Sequence, residues 1–262
     1  MCSIRLKKKL LKIALLLCTV TWVIFSNSSA FSVEEQPFRP GERLVFELRW
    51  AFVPAGEAVL EVLPIENING MDVYHFVMTA NSNSFVDAFY KVRDQIDAYV
   101  DIAMNGSVFY SKKQREGSTK RDITVAFDQK NLTAVYQEKG KDKRQIKIVP
   151  GTFDPLSVFY FARTLGMNAG MQIQKSVSDG KKVVIGKANI VRREKIKVPA
   201  GTYDTFLLEP ELEEIGGVFE KSKDAKMQIW VTANKAHIPV KIESSVMVGR
   251  FIGELVSVSG LP

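Results

Sequence analysis

The chain has 262 residues and a formal net charge of +7, but Arg5, Lys7, Lys8, Lys9 and Lys12 all fall within its first thirty positions, where there is no acidic residue; residues 31–262 are left with about +2. So small a balance removes the electrostatic footprint of a nucleic-acid-binding protein. Both cysteines, Cys2 and Cys18, lie in the same opening stretch, so the rest of the chain has no disulfide framework, thiol nucleophile or thiolate metal site.

The basic start is followed by the apolar run Ile13 to Phe25 and the polar stretch Ser26 to Ser29, ending at Ala30. The run is shorter than the roughly 20 residues that cross a bilayer core as a helix. With Ser28 and Ala30 as small residues at −3 and −1, the pattern is that of a secretory signal peptide over residues 1–30, cleaved after Ala30, ahead of a single periplasmic domain over 31–262. A retained anchor is the alternative. Lipidation at Cys18 is disfavoured by Leu16 and Leu17, which stand where small residues are expected.

From Leu44 the chain alternates with a period of two, the signature of half-buried strands: Leu44/Phe46/Leu48/Trp50/Phe52, then Ala58/Leu60/Val62, Tyr74/Phe76/Met78, Ile96/Ala98/Val100, Ile123/Val125/Phe127, Leu132/Ala134/Tyr136, Phe206/Leu208, Met227/Ile229/Val231 and Val240/Ile242. Turn signals separate them at Pro54-Ala55-Gly56, Asn69-Gly70, Asn105-Gly106, Asp179-Gly180, Pro199-Ala200-Gly201 and Gly216-Gly217. Short turns between strands imply antiparallel pairing. The fold class expected is mainly β, a strongly curved antiparallel sheet or partly open barrel with one or two short packed helices.

Two segments break the alternation. Around Asn83 and Ser84, either able to cap a helix, Phe85, Ala88, Phe89 and Val92 recur at helical spacing. The second has Asp154 as cap, Pro155 at the first position, the run Leu156 to Leu165, and Gly166 as terminator. It is apolar on most sides and is expected to be buried, or partly buried beside an apolar ligand. The tetrapeptide Val-Pro-Ala-Gly occurs at 53–56 and at 198–201, read as two independent turns.

Catalytic patterns are sparse. His75 and His237 have no neighbour at ligand spacing and read as ordinary sheet or turn histidines. No G-x-S-x-G elbow is present, and the glycine-rich stretch from Gly180 to Gly186-Lys187-Ala188 has the wrong spacing for a phosphate loop and lacks the hydroxyl. Asp94, Asp97 and Asp101 read as a solvated strand face, since Asp97 and Asp101 would stand roughly 13 Å apart with Asp94 on the other side. Basic clusters at Lys112, Lys113, Arg115, Lys120, Arg121 and at Lys139, Lys141, Lys143, Arg144, Lys147 bracket hairpin turns and read first as charged tips that keep sheet edges soluble, then as contacts for anionic headgroups. No metal and no cofactor is expected. Aromatic residues are read first as core, but if two aromatic helices lie in the concavity of a curved sheet, Trp50, Phe85, Phe89, Phe159 and Tyr160 would line a cleft for an acyl chain or another apolar ligand.

Four ordered pieces carry a resemblance: Pro40-Gly41-Glu42 leading into the first strand; Asp154-Pro155-Leu156-Ser157 with Arg163 near the helix end; Val198 to Tyr203; and Ile229-Trp230-Val231 followed by Pro239 to Ile242. With them the chain resembles the exported bacterial proteins of unknown function grouped as DUF3108. The resemblance implies an envelope protein and transfers no catalytic residue. The leading expectation is a non-enzymatic periplasmic protein binding a lipid-like or other apolar ligand. A structural or protein-interaction module of envelope assembly comes second, and a polysaccharide or peptide hydrolase third.

Overall fold

A computed structural model describes residues 36–211, 226–246 and 249–262. The leader with its cleavage point and the Gly216-Gly217 turn lie outside the described residues.

Among these residues fourteen strands form one antiparallel sheet: β1 (Arg43–Trp50), β2 (Val53–Ile68), β3 (Met71–Ser82), β4 (Arg93–Asp101), β5 (Ser107–Glu116), β6 (Thr119–Asp128), β7 (Thr133–Glu138), β8 (Arg144–Lys147), β9 (Gln172–Ser178), β10 (Val183–Val198), β11 (Gly201–Pro210), β12 (Lys226–Thr232), β13 (Pro239–Val246) and β14 (Gly249–Ser259). Two short helices accompany them, α1 (Ser84–Asp87) between β3 and β4 and α2 (Ser157–Arg163) between β8 and β9. The expected curved, open, mainly β architecture is the one the chain adopts.

The topology follows from local pairing. Strands β1 to β8 each pair with the next, β9 to β14 do the same, and the two meanders are joined where β14 pairs with β1 at the middle of the sheet. The edges are therefore β8 and β9, consecutive in sequence but at opposite ends of the strand order. The chain between them bridges the gap without closing it as a ladder. Ser107 N–H donates to Thr152 O on one side, while on the other Phe153 N–H donates to Ser176 O and Ser178 N–H to Phe153 O. The β9–β10 turn follows: Gly180 sits so close to Val125 and Tyr136 that an added Cβ would fall within 3 Å of the valine methyls.

One face of the sheet holds α2, and at that end it is solidly filled. The Tyr160 ring stacks on Phe76 at 3.8 Å, nearly parallel, and Phe38 meets Tyr74, Phe76 and Tyr160 edge-on at 5.3 Å each. Asp154 caps the helix as its side chain accepts from the N–H groups of Leu156 and Ser157, and Ser107 Oγ donates to its other oxygen at 2.5 Å. Burial raises the Asp154 pKa despite these donors. At the far end of α2 the fully buried Arg163 forms a two-pronged ion pair with Glu42 at 2.6 and 2.8 Å and donates to Ala236 O and Pro37 O. His237, at φ 42°, has Nδ1 2.9 Å from Arg163 O. A smaller cluster of Met167, Ile190, Phe206, Leu208 and Val231 packs separately in the second meander.

The two Val-Pro-Ala-Gly segments part company. Residues 198–201 form the expected turn between β10 and β11, but the chain reverses ahead of Pro54, at Ala51 with φ 52°, and Pro54-Ala55-Gly56 lies inside β2. There Ala55 is the extra residue of a bulge opposite Leu48 and Arg49.

Candidate functional site

The face that holds α2 changes character along the strands. Residues two apart share a face, so core positions identify the others pointing the same way. In β1 the sequence Leu44, Phe46, Leu48, Trp50 runs from fully buried to 52 % exposed. Across the β1–β14 seam the partners Leu255, Gly253 and Phe251 run from buried to 44 % exposed. The next two strands repeat it: Leu60, Ala58, Gly56 in β2 and Phe76, Met78, Ala80 in β3 pass from buried to half-buried, and in β4 Ala98 gives way to Ile96. Beyond the α2 plug, then, the inner face forms an apolar wall floored by small residues, Gly56, Ala58, Ala80 and Gly253, with Trp50 and Phe251 paired at its rim. Gly249 is required there, because a Cβ would come within 2.4 Å of Trp50 Nε1.

On the same face, the strand next to β4 is polar. Ile96 pairs with Lys112, and the following positions on that face of β5 are Gln114 and Glu116. Burial is the main cause that raises the Glu116 pKa, with a hydrogen bond to Asp94 and its charge adding to it. Asp94 also accepts from Arg115 N–H at 2.7 Å. This open half of the inner face, the groove, is apolar from β14 across β1 to β4 and polar and titratable on β5, a division that suits an amphiphile.

The structure divides the five residues expected to line a cleft. Trp50, Phe85 and Phe89 lie at the open end: Asn83, the α1 cap, accepts from Val86 N–H, while its own N–H donates to Ala55 O and its Nδ2 to Pro54 O, which docks α1 beside the β1–β2 tip. Tyr160 and Phe159 are at the plugged end, Tyr160 fully buried and Phe159 half-buried, edge-on to it at 5.9 Å. The helix they share sets Tyr160 against Phe76 and Phe159 against Tyr160, away from the groove. In the sequence Leu48, Ala58 and Met78 are marked only as alternating strand residues, and Ala80 and Phe251 not at all; the signal for a groove is the shrinkage of inward side chains along β2 and β3, which becomes legible only once the register is known.

Other singled-out residues have structural employment. His75 is buried with Nδ1 2.7 Å from Glu66 Oε1 and Nε2 3.1 Å from Asp97 Oδ1, and its ring stacks on Tyr99 at 4.1 Å. Asp97 is thus no solvated residue, whereas Asp101 caps the following turn by accepting from Ala103 and Asn105 N–H.

Comparison with known sequences decides the family. The sequence profile described as "Protein of unknown function (DUF3108)" matches residues 45–256, most of the chain. The chain belongs to the DUF3108 family. No curated protein matches it. Among solved structures, the β-barrel-like protein of domain DUF1849 from Brucella abortus superposes with a TM-score of 0.55 at 9 % identity, covering 84 % of this chain and 98 % of that one, a likeness of fold alone. A Parabacteroides distasonis protein provisionally assigned as a lipoprotein gives a TM-score of 0.37 at 11 % identity, covering 85 % of this chain and 98 % of that one. A provisionally assigned exported protein with a YmcC-like fold from Bacteroides fragilis gives 0.38 at 11 %, covering 85 % and 97 %.

Two of the four pieces that carried the DUF3108 resemblance meet at the plug, and a third lies beside the seam. Glu42 pairs with Arg163, Asp154 caps the helix between them, and Ala200 N–H donates to Leu255 O beside the seam. The first two fix α2 against the sheet.

Proposed function

We propose that this DUF3108 protein is an exported, non-enzymatic protein of the periplasm and cell envelope that holds a lipid-like ligand on the open half of its inner sheet face. The supporting observation is the groove itself: Leu48, Ala58, Met78, Ala80 and Ile96 stay only partly buried on a face whose other half is closed by α2, Ala58, Met78 and Ile96 keeping one side against the core. Leaving such apolar area wet forgoes about 25 cal/mol for each Å² that a ligand chain could cover. Trp50 and Phe251 at the rim would clasp the chain, and Lys112, Gln114 and Glu116 would face its polar head.

A hydrolytic reading is less well supported. Asp94 and Glu116 are in hydrogen-bond contact, closer than the roughly 5 to 9 Å between the carboxyl groups of glycoside hydrolases.

The test fills the groove. Ala80→Phe places a ring on the apolar wall at a half-buried position and is expected to abolish binding of a fluorescent fatty acid to the delipidated protein while leaving its melting temperature nearly unchanged. Equal binding by the variant and the parent would remove the groove from the account.

A further inference from the structure

The open end also presents apolar side chains away from the groove. Phe52 at the β1–β2 tip is 96 % exposed, Phe89 79 % and Phe85 62 %, with Val53 and Tyr90 exposed beside them. Single exposed rings are ordinary, but a contiguous patch marks a contact surface. Here the members share one end of the sheet: Phe85 and Phe89 meet edge-on at 5.7 Å, the Asn83 bonds tie their segment to Pro54 and Ala55, just after Phe52 in the chain, and the Tyr90 ring lies against Gly117 at the β5–β6 tip.

Charge tells what the patch would meet. The β5–β6 end, Lys112 to Asp122, has five basic residues against two acidic, and the β7–β8 end, Glu138 to Arg144, has four against two. The two tips touch, through Lys139 N–H donating to Asp122 O and an Arg121 to Glu138 ion pair at 3.7 Å. Together they hold a net +5, while residues 31–262 as a whole carry about +2, so the rest of that stretch is about −3. Positive charge is thus gathered next to the exposed rings. Aromatic side chains flanked by lysine and arginine match the headgroup layer of an anionic bilayer, where rings settle at the acyl boundary and cations meet phosphates.

We infer that this end of the sheet docks on an anionic phospholipid surface, with Phe52, Phe85 and Phe89 inserted and the β5–β6 and β7–β8 tips resting on the headgroups. Docking of this kind goes beyond the groove reading and needs no bound ligand, although it would place the groove mouth at the source of a lipid.

The protein as processed by its host is sedimented with vesicles of phosphatidylcholine alone and with vesicles that also contain phosphatidylglycerol. Binding is expected only to the second and should weaken as salt is added. Neutralising Lys139, Lys141 and Lys143 to serine should lower affinity on the order of 100-fold, at about fivefold for each charge at the surface. Phe52→Ser with Phe89→Ser should lower it by a similar factor, with an unchanged melting temperature because both rings are in solvent. Ala80→Phe should leave vesicle binding intact, which separates this proposal from the groove. Failure to sediment with either vesicle, equal binding to both, or indifference to the Phe52 and Phe89 substitutions would overturn it. So would a photocrosslinker at position 52 that captures a protein and no lipid in whole envelopes.

Discussion

Tyr160 satisfies one physical demand at the expense of another. Its ring supplies the stack on Phe76 that fixes α2, yet its hydroxyl is buried without a hydrogen-bond partner among the described residues. Burial pushes its pKa up, so the phenol stays neutral. An orphaned buried hydroxyl costs about 1 to 3 kcal/mol, whereas the ring is worth keeping in full. Tyr160→Phe is therefore expected to stabilise the protein by about 1 kcal/mol in urea unfolding, and a loss of stability would reveal a partner for the hydroxyl. Glu194 gives the opposite sort of case. The Trp230 indole N–H donates to it at 2.9 Å and Arg192 pairs with it at the same distance, and these bonds hold its pKa below the ordinary 4.5. A lowered folded-state pKa means that its contribution is complete above the unfolded value and fades as pH falls through the folded one. The stability difference between the parent and Glu194→Gln should thus be largest near neutrality and shrink in acid below the usual glutamate range. A difference that grows with acidity would contradict the assignment.

At the scale of elements, the seam between β1 and β14 has more influence than any hairpin. Every other pairing links neighbours in sequence, while this one joins the two ends of the described chain and makes one sheet of two meanders. Removing β14 would strip Phe46 of Leu255 and leave β1 and β13 as raw edges in the middle of the core. Truncation after Val246 should consequently abolish the cooperative unfolding transition, and a sharp transition in the truncated chain would show that the meanders fold alone. The alternation made strands such as Leu44 to Trp50 legible, because period two needs only one covered face. Asp154 and Pro155 likewise announced α2. The seam was not legible, since pairing between residues some two hundred positions apart leaves no local mark. Nor was the true β1–β2 turn, since Ala51 adopts a left-handed conformation that Gly56 was better suited to and does not use. Helical spacing grouped Phe85 with Phe89 but could not tell that α1 would be one turn long, end at Asp87 ahead of Phe89, and leave both rings in solvent.

For the whole molecule, the distribution of filling decides what the protein can do. One end of the inner face is closed by α2, Phe38 and the Arg163–Glu42 pair, whose rupture would leave an uncompensated buried charge at a cost of about 3 to 5 kcal/mol. The other end keeps an apolar wall, the polar face of β5 beside it and a rim of Trp50 and Phe251, and beyond the rim lie the exposed rings and the basic tips. Such an arrangement offers a shape, and the binding role proposed above rests on it. Native mass spectrometry of protein purified from its own envelope is the most direct test. The account predicts a lipid-sized mass above the bare chain that organic solvent strips away and that the Ala80→Phe variant lacks; a bare mass for the parent in every gentle preparation, or an adduct the variant retains in full, would contradict it.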